Sequence, residues 1–238
     1  INQLEMFQAG TFDTPTLERE LDWAAGLGMN SLRVFLHNLL WEDDAPGFKQ
    51  RLSQFLDLCA ARGIRPMLVF FDDCHRAWPK TGKQPEPVPG FHNSGWAQSP
   101  GQDRLCDHNS WSALEDYVKD IITTFGQDER VLIWDLYNEP GNGDWTRDEP
   151  KITHSVELVT RVFQWAREAA PAQPLTMGLW KGPFTPEEKK GEKPETEDAQ
   201  LSINTTCLEQ SDIISFHSYA PPEALKQRQA GAARRDAG

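Results

Sequence analysis

An alternation of amphipathic helical stretches with short, almost uniformly apolar runs limits this chain to a small set of folds. Leu17, Leu21, Ala24, Ala25 and Gly28 fall on one helical stripe, and residues 29–37 (MNSLRVFLH) then read as a strand. Phe48, Leu52, Phe55, Leu56 and Cys59 stripe a second helix, Gly63 ends it, and residues 64–71 (IRPMLVFF) make the next strand. The pattern recurs with Trp111, Leu114, Val118, Ile121, Ile122 and Phe125 before 131–137 (VLIWDLY). A helix over 156–170 precedes 174–180 (PLTMGLW), and one near 201–208 precedes 212–219 (DIISFHSY). The opening residues 1–7 (INQLEMF) read as a further strand, giving six. Strands apolar along most of their length, each followed by a helix, belong to a parallel sheet covered on both faces.

Two parallel architectures remain, an open doubly wound sheet and a closed barrel. Residues able to carry chemistry stand at the C-terminal ends of several strands: Arg33 and His37, Asp72 and Asp73, Asn138 and Glu139, Trp180, His217 and Tyr219. An open sheet concentrates its site at one switch point, whereas a (β/α)8 barrel gathers strand ends into one mouth, so the pattern favours an α/β fold of TIM-barrel type. Length is spent on two long connections, residues 72–110 and a Lys/Glu/Pro-rich stretch over 181–200. After Tyr219, Leu225 is the only large aliphatic residue, so no seventh strand is expected. The expectation is a single domain over residues 1–238, an incomplete barrel with about six βα units.

Composition removes other classes. Of 238 residues, 38% are hydrophobic, enough for a sizeable core, and the formal charge of −12 opposes binding to nucleic acid or an anionic membrane surface. No apolar run approaches the roughly 20 residues that cross a bilayer. The first residues lack the regions of a signal peptide, and since the sequence does not begin with Met, a removed signal, hence a secreted or periplasmic location, stays open. The four cysteines form no CxxC pair; Cys74 and Cys106 bracket the long loop, and a disulfide or two free thiols both fit. No Gly-rich phosphate cradle occurs, so no cofactor is expected. His37, Asp73 and His75 lack i,i+4 spacing, and no metal is expected either.

The strongest chemical signal is residues 134–140, WDLYNEP. It sets a carboxylate immediately past a buried strand, and Pro140 stops the ladder and turns the chain. A glutamic acid partly walled by Trp and Tyr disfavours its own anion, so Glu139 can stay protonated near neutrality, the property a general acid needs.

With these residues the chain resembles the retaining glycoside hydrolases of clan A, family five, the cellulase and mannanase family. The resemblance rests on Gly28-Met29-Asn30-Ser31-Leu32-Arg33-Val34-Phe35, on Asn138-Glu139-Pro140 and on Phe216-His217-Ser218-Tyr219. It implies that Glu139 is the acid/base, that Asn138 hydrogen-bonds a sugar 2-hydroxyl, and that Arg33, His217 and Tyr219 line the same sugar site. The implied nucleophilic carboxylate belongs on a seventh strand and is not assigned in this chain. Asp72-Asp73-Cys74-His75 stands where the family often has His, with the inward side chain undetermined.

The remaining signals are weaker. Trp41, Trp78, Trp96 and Trp180 lie at strand ends or in top loops and could floor sugar subsites, whereas Trp23, Trp111 and Trp165 lie in helices and read as core. His37 and Asp73 join the candidate substrate contacts; His92 and His108 read as solvated. The expected partner is an oligo- or polysaccharide, a β-1,4-linked glucan, mannan or xylan. Alternatives are a carbohydrate-binding barrel without turnover, an inactive fragment, or a site completed by a partner chain or by Asp73. Exposed strand edges at residues 1–7 and 212–219 imply a homo-oligomer.

Overall fold

The computed structural model describes residues 3–142, 152–180 and 194–219. In chain order these form α1 (Gln3–Phe7), α2 (Thr14–Gly26), β1 (Arg33–Phe35), α3 (Asn38–Ala60), β2 (Met67–Asp72), α4 (Gln102–Cys106), α5 (Trp111–Phe125), β3 (Ile133–Asn138), α6 (Ile152–Glu168), β4 (Leu175–Leu179), α7 (Pro194–Gln210) and β5 (Ser215–Phe216). The five strands pair in parallel, and their spatial order is their chain order. A doubly wound sheet reverses order at a switch point and a barrel does not, so the architecture is that of a partial (β/α)8 barrel.

The helices form where the sequence supplies caps and apolar stripes. Asp13 caps α2, its Oδ1 accepting from Thr16 N–H at 3.4 Å and its Oδ2 from the Thr16 hydroxyl at 2.6 Å, with Pro15 in the first turn. Gly28, at φ +81°, takes the left-handed turn out of it. In α5 the whole predicted stripe is buried, from Trp111 to Phe125. The β2, β3 and β4 residues between these helices and the barrel interior are almost all buried, as a two-sided parallel sheet requires.

Several expectations are corrected. Residues 3–7 are a helix, not a strand: Leu4 and Phe7 lie one turn apart and are both buried, with the Phe7 ring 5.9 Å and 5.4 Å from those of Phe48 and Phe55 on α3. In a strand they would face opposite ways. The described residues therefore hold five strands, with β1 and β5 at the edges. The helix after β1 starts at Asn38, ten residues before the predicted stripe, and is two segments joined at a kink: Asp44, non-helical at φ −155°, caps the second through Gly47 N–H at 3.0 Å, with Pro46 in its first turn. Trp23 is 61% exposed under the Arg19 guanidinium rather than in the core, whereas Trp111 and Trp165 are buried. Cys74 and Cys106 are free thiols. Residues 1–2, most of the 181–200 stretch and the tail from 220 lie outside the described residues.

Candidate active site

The site is built where the C-terminal ends of the strands align. Asp72 on β2 is in register with Asn138 on β3, Asn138 with Gly178 on β4, and Gly178 with Ser215 on β5. Between Asp135 and Asn138 β3 advances three residues while β4 advances two, a bulge. In a regular strand these two side chains would face opposite sides. With the extra residue both reach Arg33: Nε and Nη2 donate to Asp135 Oδ2 at 2.8 and 2.6 Å, and Nη1 donates to Asn138 Oδ1 at 2.7 Å. Burial raises the Asp135 carboxyl above the ordinary range while the Arg33 charge opposes it.

Glu139 follows as a non-glycine residue in the left-handed region, φ +48°, its N–H donating to Gly178 O at 2.7 Å. Such a conformation costs roughly 1–3 kcal/mol and persists where surrounding contacts enforce it. Its carboxylate receives three donors: His217 Nδ1 on Oε1, and the Cys74 thiol (3.0 Å) and Asn142 Nδ2 (2.6 Å) on Oε2. Burial pushes its pKa up, but hydrogen bonds from His217, Cys74 and Asn142 outweigh it and leave the group at about 2. These donors favour the Glu139 anion and work against the aromatic wall on which the expected protonation rested.

A cleft of about 500 Å³ opens over this carboxylate. Arg33, Phe35, Asn138, Glu139, Asn142, His217 and Tyr219, from the strand ends and the residues just after them, line it together with Cys74, His75, His92, Asn93 and Trp96 of the long loop. Both polar ends of Asn138 are engaged, Oδ1 with Arg33 and Nδ2 with Asp72 Oδ1 at 2.7 Å. Tyr219 is 87% exposed at the rim. Trp96 stands edge-on to Phe35 with centroids 4.9 Å apart.

Of the predicted contacts, Arg33, Trp96, Asn138, Glu139, His217 and Tyr219 meet in this cleft; His37, Asp73 and Trp180 do not line it. His37 is fully buried and caps α3, accepting from Leu39 N–H at 3.2 Å and reaching Gln98 O at 3.0 Å, and burial drops its pKa to about 4. Asp73 is buried and accepts from the Tyr137 hydroxyl, Gly141 N–H and the Ser155 hydroxyl at 2.6–2.7 Å. Trp180 is half-buried at the end of β4. Trp41 packs between α3 and α5, its indole N–H on Asp120 at 2.6 Å, and Trp78 donates to Asp103 at 3.3 Å. His92 is exposed, as read, and also borders the cleft. The sequence reading left Cys74 undetermined and missed Asn142; only their nearness to the two strand ends marks them. Among the described residues no group of His, Cys, Asp and Glu could hold a metal ion.

The family model described as Cellulase (glycosyl hydrolase family 5) matches residues 4–236. No curated protein matches the chain. Among solved structures, an endo-1,4-beta-mannanase from Eisenia fetida aligns with TM-score 0.62 and 16% identity over 93% of this chain and 66% of its own. The beta-mannanase of the blue mussel Mytilus edulis aligns with TM-score 0.60 and 13% identity, over 93% and 68%. The beta-1,4-mannanase of the sea hare Aplysia kurodai gives 0.57 and 15%, over 92% and 68%. At these identities the likeness is one of fold, and the chain spans about two thirds of the length of these proteins.

Proposed function

The chain belongs to glycosyl hydrolase family 5, and from that premise we propose that it is a glycosidase of β-1,4-linked glycans with Glu139 as its general acid/base. The observation that carries the reading is a carboxylate past the end of β3, held in a strained backbone conformation at the floor of an open cleft and ringed by Arg33, Asn138, His217 and Tyr219. Asn138, whose amide is fixed from both ends, is the group that meets the sugar 2-hydroxyl, and such a contact strengthens as the ring becomes oxocarbenium-like. Trp96 offers an apolar face for a pyranose ring. Among glucan, mannan and xylan, mannan is favoured because the three solved proteins of like fold described above are mannanases by name.

A retaining mechanism needs a second carboxylate about 5–5.5 Å from the acid, and none is assigned in this chain. Its negative charge would draw Arg33 and His217 and raise Glu139 toward the protonated form. Carbohydrate binding without turnover is the second reading. It is favoured by the three donors on Glu139, which suit an ionised acceptor of sugar hydroxyls.

A panel of β-1,4-glucan, mannan and xylan assayed with the wild type and Glu139→Gln separates the two. Turnover by the wild type, lost in the variant while oligosaccharide affinity stays within a few-fold, supports the acid/base role, since the amide keeps the shape and loses the proton. Binding without turnover in both proteins supports the second reading.

A further inference from the structure

Three consecutive residues leaving β2 each take hold of the segment leaving β3. Asp72 Oδ1 accepts from Asn138 Nδ2 at 2.7 Å and from Cys74 N–H at 2.9 Å, so one carboxylate oxygen fixes both Asn138 and the backbone that carries the thiol. Asp73 takes Tyr137 and Gly141 on either side of the Asn138-Glu139 pair. Cys74 reaches the reacting group: its Sγ is 3.0 Å from Glu139 Oε2, and Asn138 Nδ2 and Asn142 Nδ2 approach the sulfur at 3.5 and 3.6 Å.

We propose that Cys74 is a positioning residue for Glu139, its thiol holding Oε2 in the cleft and tuning how readily that oxygen takes a proton. The inference rests on the reading of Glu139 as acid/base. A thiol suits this place because S–H is a weak donor to the anion and the sulfur a weak acceptor from the protonated acid, so the contact survives both states of the carboxyl. Asn142, the other donor to Oε2, presents its Nδ2 and so favours the anion; to serve the protonated acid its amide would have to turn over, whereas the thiol need only rotate its S–H. The charged and titratable groups facing the pair are Asp72 and Asp73 from the end of β2, His75 from the loop, Arg33 from β1, and His217 after β5. Burial and the neighbouring carboxylates Asp72 and Glu139 push the thiol far above its ordinary pKa, so Cys74 acts as a neutral hydrogen-bonding group and not as a thiolate nucleophile.

Two measurements on the 238-residue chain test this. The first is the rate of iodoacetamide capture at Cys74, followed by peptide mapping. Removing the adjacent negative charge in Glu139→Gln should lower the thiol pKa and speed capture by about tenfold, with Cys106 as the internal control; equal rates at Cys74 in the two proteins overturn the contact. The second compares Cys74→Val, which keeps the volume and drops the donor, with Cys74→Ser in hydrolysis of an unactivated β-1,4-mannan oligosaccharide. Cys74→Val should lower kcat by about tenfold or more with little change in KM and displace the alkaline limb of the pH profile, where the catalytic acid loses its proton, and Cys74→Ser should recover part of both. Wild-type kcat and pH profile in Cys74→Val, while Glu139→Gln is inactive, overturn the positioning role and leave Glu139 as the acid. Full activity in Glu139→Gln overturns the acid reading and the positioning role with it, while the capture rates still report the thiol contact.

Discussion

Gly178 is the residue at which the site has least room. A Cβ there would lie 2.8 Å from Arg33 Nη2 and 3.1 Å from His217 Nε2, and Arg33 is pinned by Asp135 and Asn138 and cannot retreat without breaking those bonds. Gly178→Ala should cost about tenfold to a hundredfold in turnover or sugar affinity, through displaced groups and with the fold intact by circular dichroism. Asp72 gives a pH signature. Burial lifts its pKa to about 7 against the hydrogen bonds from Asn138 and Cys74, and its Oδ2 has no hydrogen-bond partner among the described residues. The folded chain keeps a proton that the unfolded chain releases near pH 4, so this contribution to stability is full below about pH 4 and lost as pH rises through 7. Asp72→Asn keeps the acceptor and removes that loss; its unfolding free energy relative to wild type should climb by a few kcal/mol from about pH 4 to 7. Taking the difference cancels His37, whose pKa, lowered by burial to about 4, acts in the opposite sense. A flat difference would contradict this. Arg33, Asn138, Glu139 and His217 were legible because a strand-end position in a parallel fold is enough to bring them together. His37 and Asp73 hold equivalent positions but spend their hydrogen-bonding capacity on α3 and on the turn after β3, and sequence gives position without side-chain direction.

At the scale of elements, the excursion between β2 and α5 decides the shape of the cleft. It is tied back to the sheet where Asp72 and Ser99 exchange backbone hydrogen bonds of 2.6 and 3.0 Å, and Gln98 N–H meets Arg76 O at 2.8 Å. This pinching carries His75, His92, Asn93 and Trp96 to the cleft and leaves Trp78 with Asp103. Trp96→Ala should weaken oligosaccharide binding by roughly 1–2 kcal/mol, whereas Trp78→Ala should leave it unchanged, by calorimetry with a mannan oligosaccharide. Equal effects would move the subsite off Trp96. Sequence showed that the loop was long and aromatic but could not show which aromatic faces inward, because that depends on a nonlocal bridge. The same limit explains α1: INQLEMF fits a strand by Leu4 and Met6 and a helix by Leu4 and Phe7, and only packing against Phe48 and Phe55 decides.

For the molecule as a whole, the consequence is association. Among the described residues β1 and β5 each have a strand on one side only. Trp23, Leu27 and Met29 are exposed just before β1, as are Leu201, Ile213 and Ile214 before β5. Open edges beside apolar surface favour pairing, and we propose that the chain self-associates. Light scattering should give a mass that rises with concentration; a constant monomer mass would contradict it. The central claim, that Glu139 delivers the proton to a departing glycosidic oxygen, is tested most directly by how the rate of Glu139→Gln depends on the leaving group. On an unactivated β-1,4-mannan oligosaccharide the variant's kcat/KM should fall to below about a hundredth of the wild-type value, whereas on an aryl glycoside whose phenol leaves without acid help kcat/KM should be largely kept even though kcat drops, because Glu139 is also the base that helps water release the sugar. Equal loss of kcat/KM on both substrates, or a variant that retains more than about a tenth of kcat/KM on the oligosaccharide, would contradict the account.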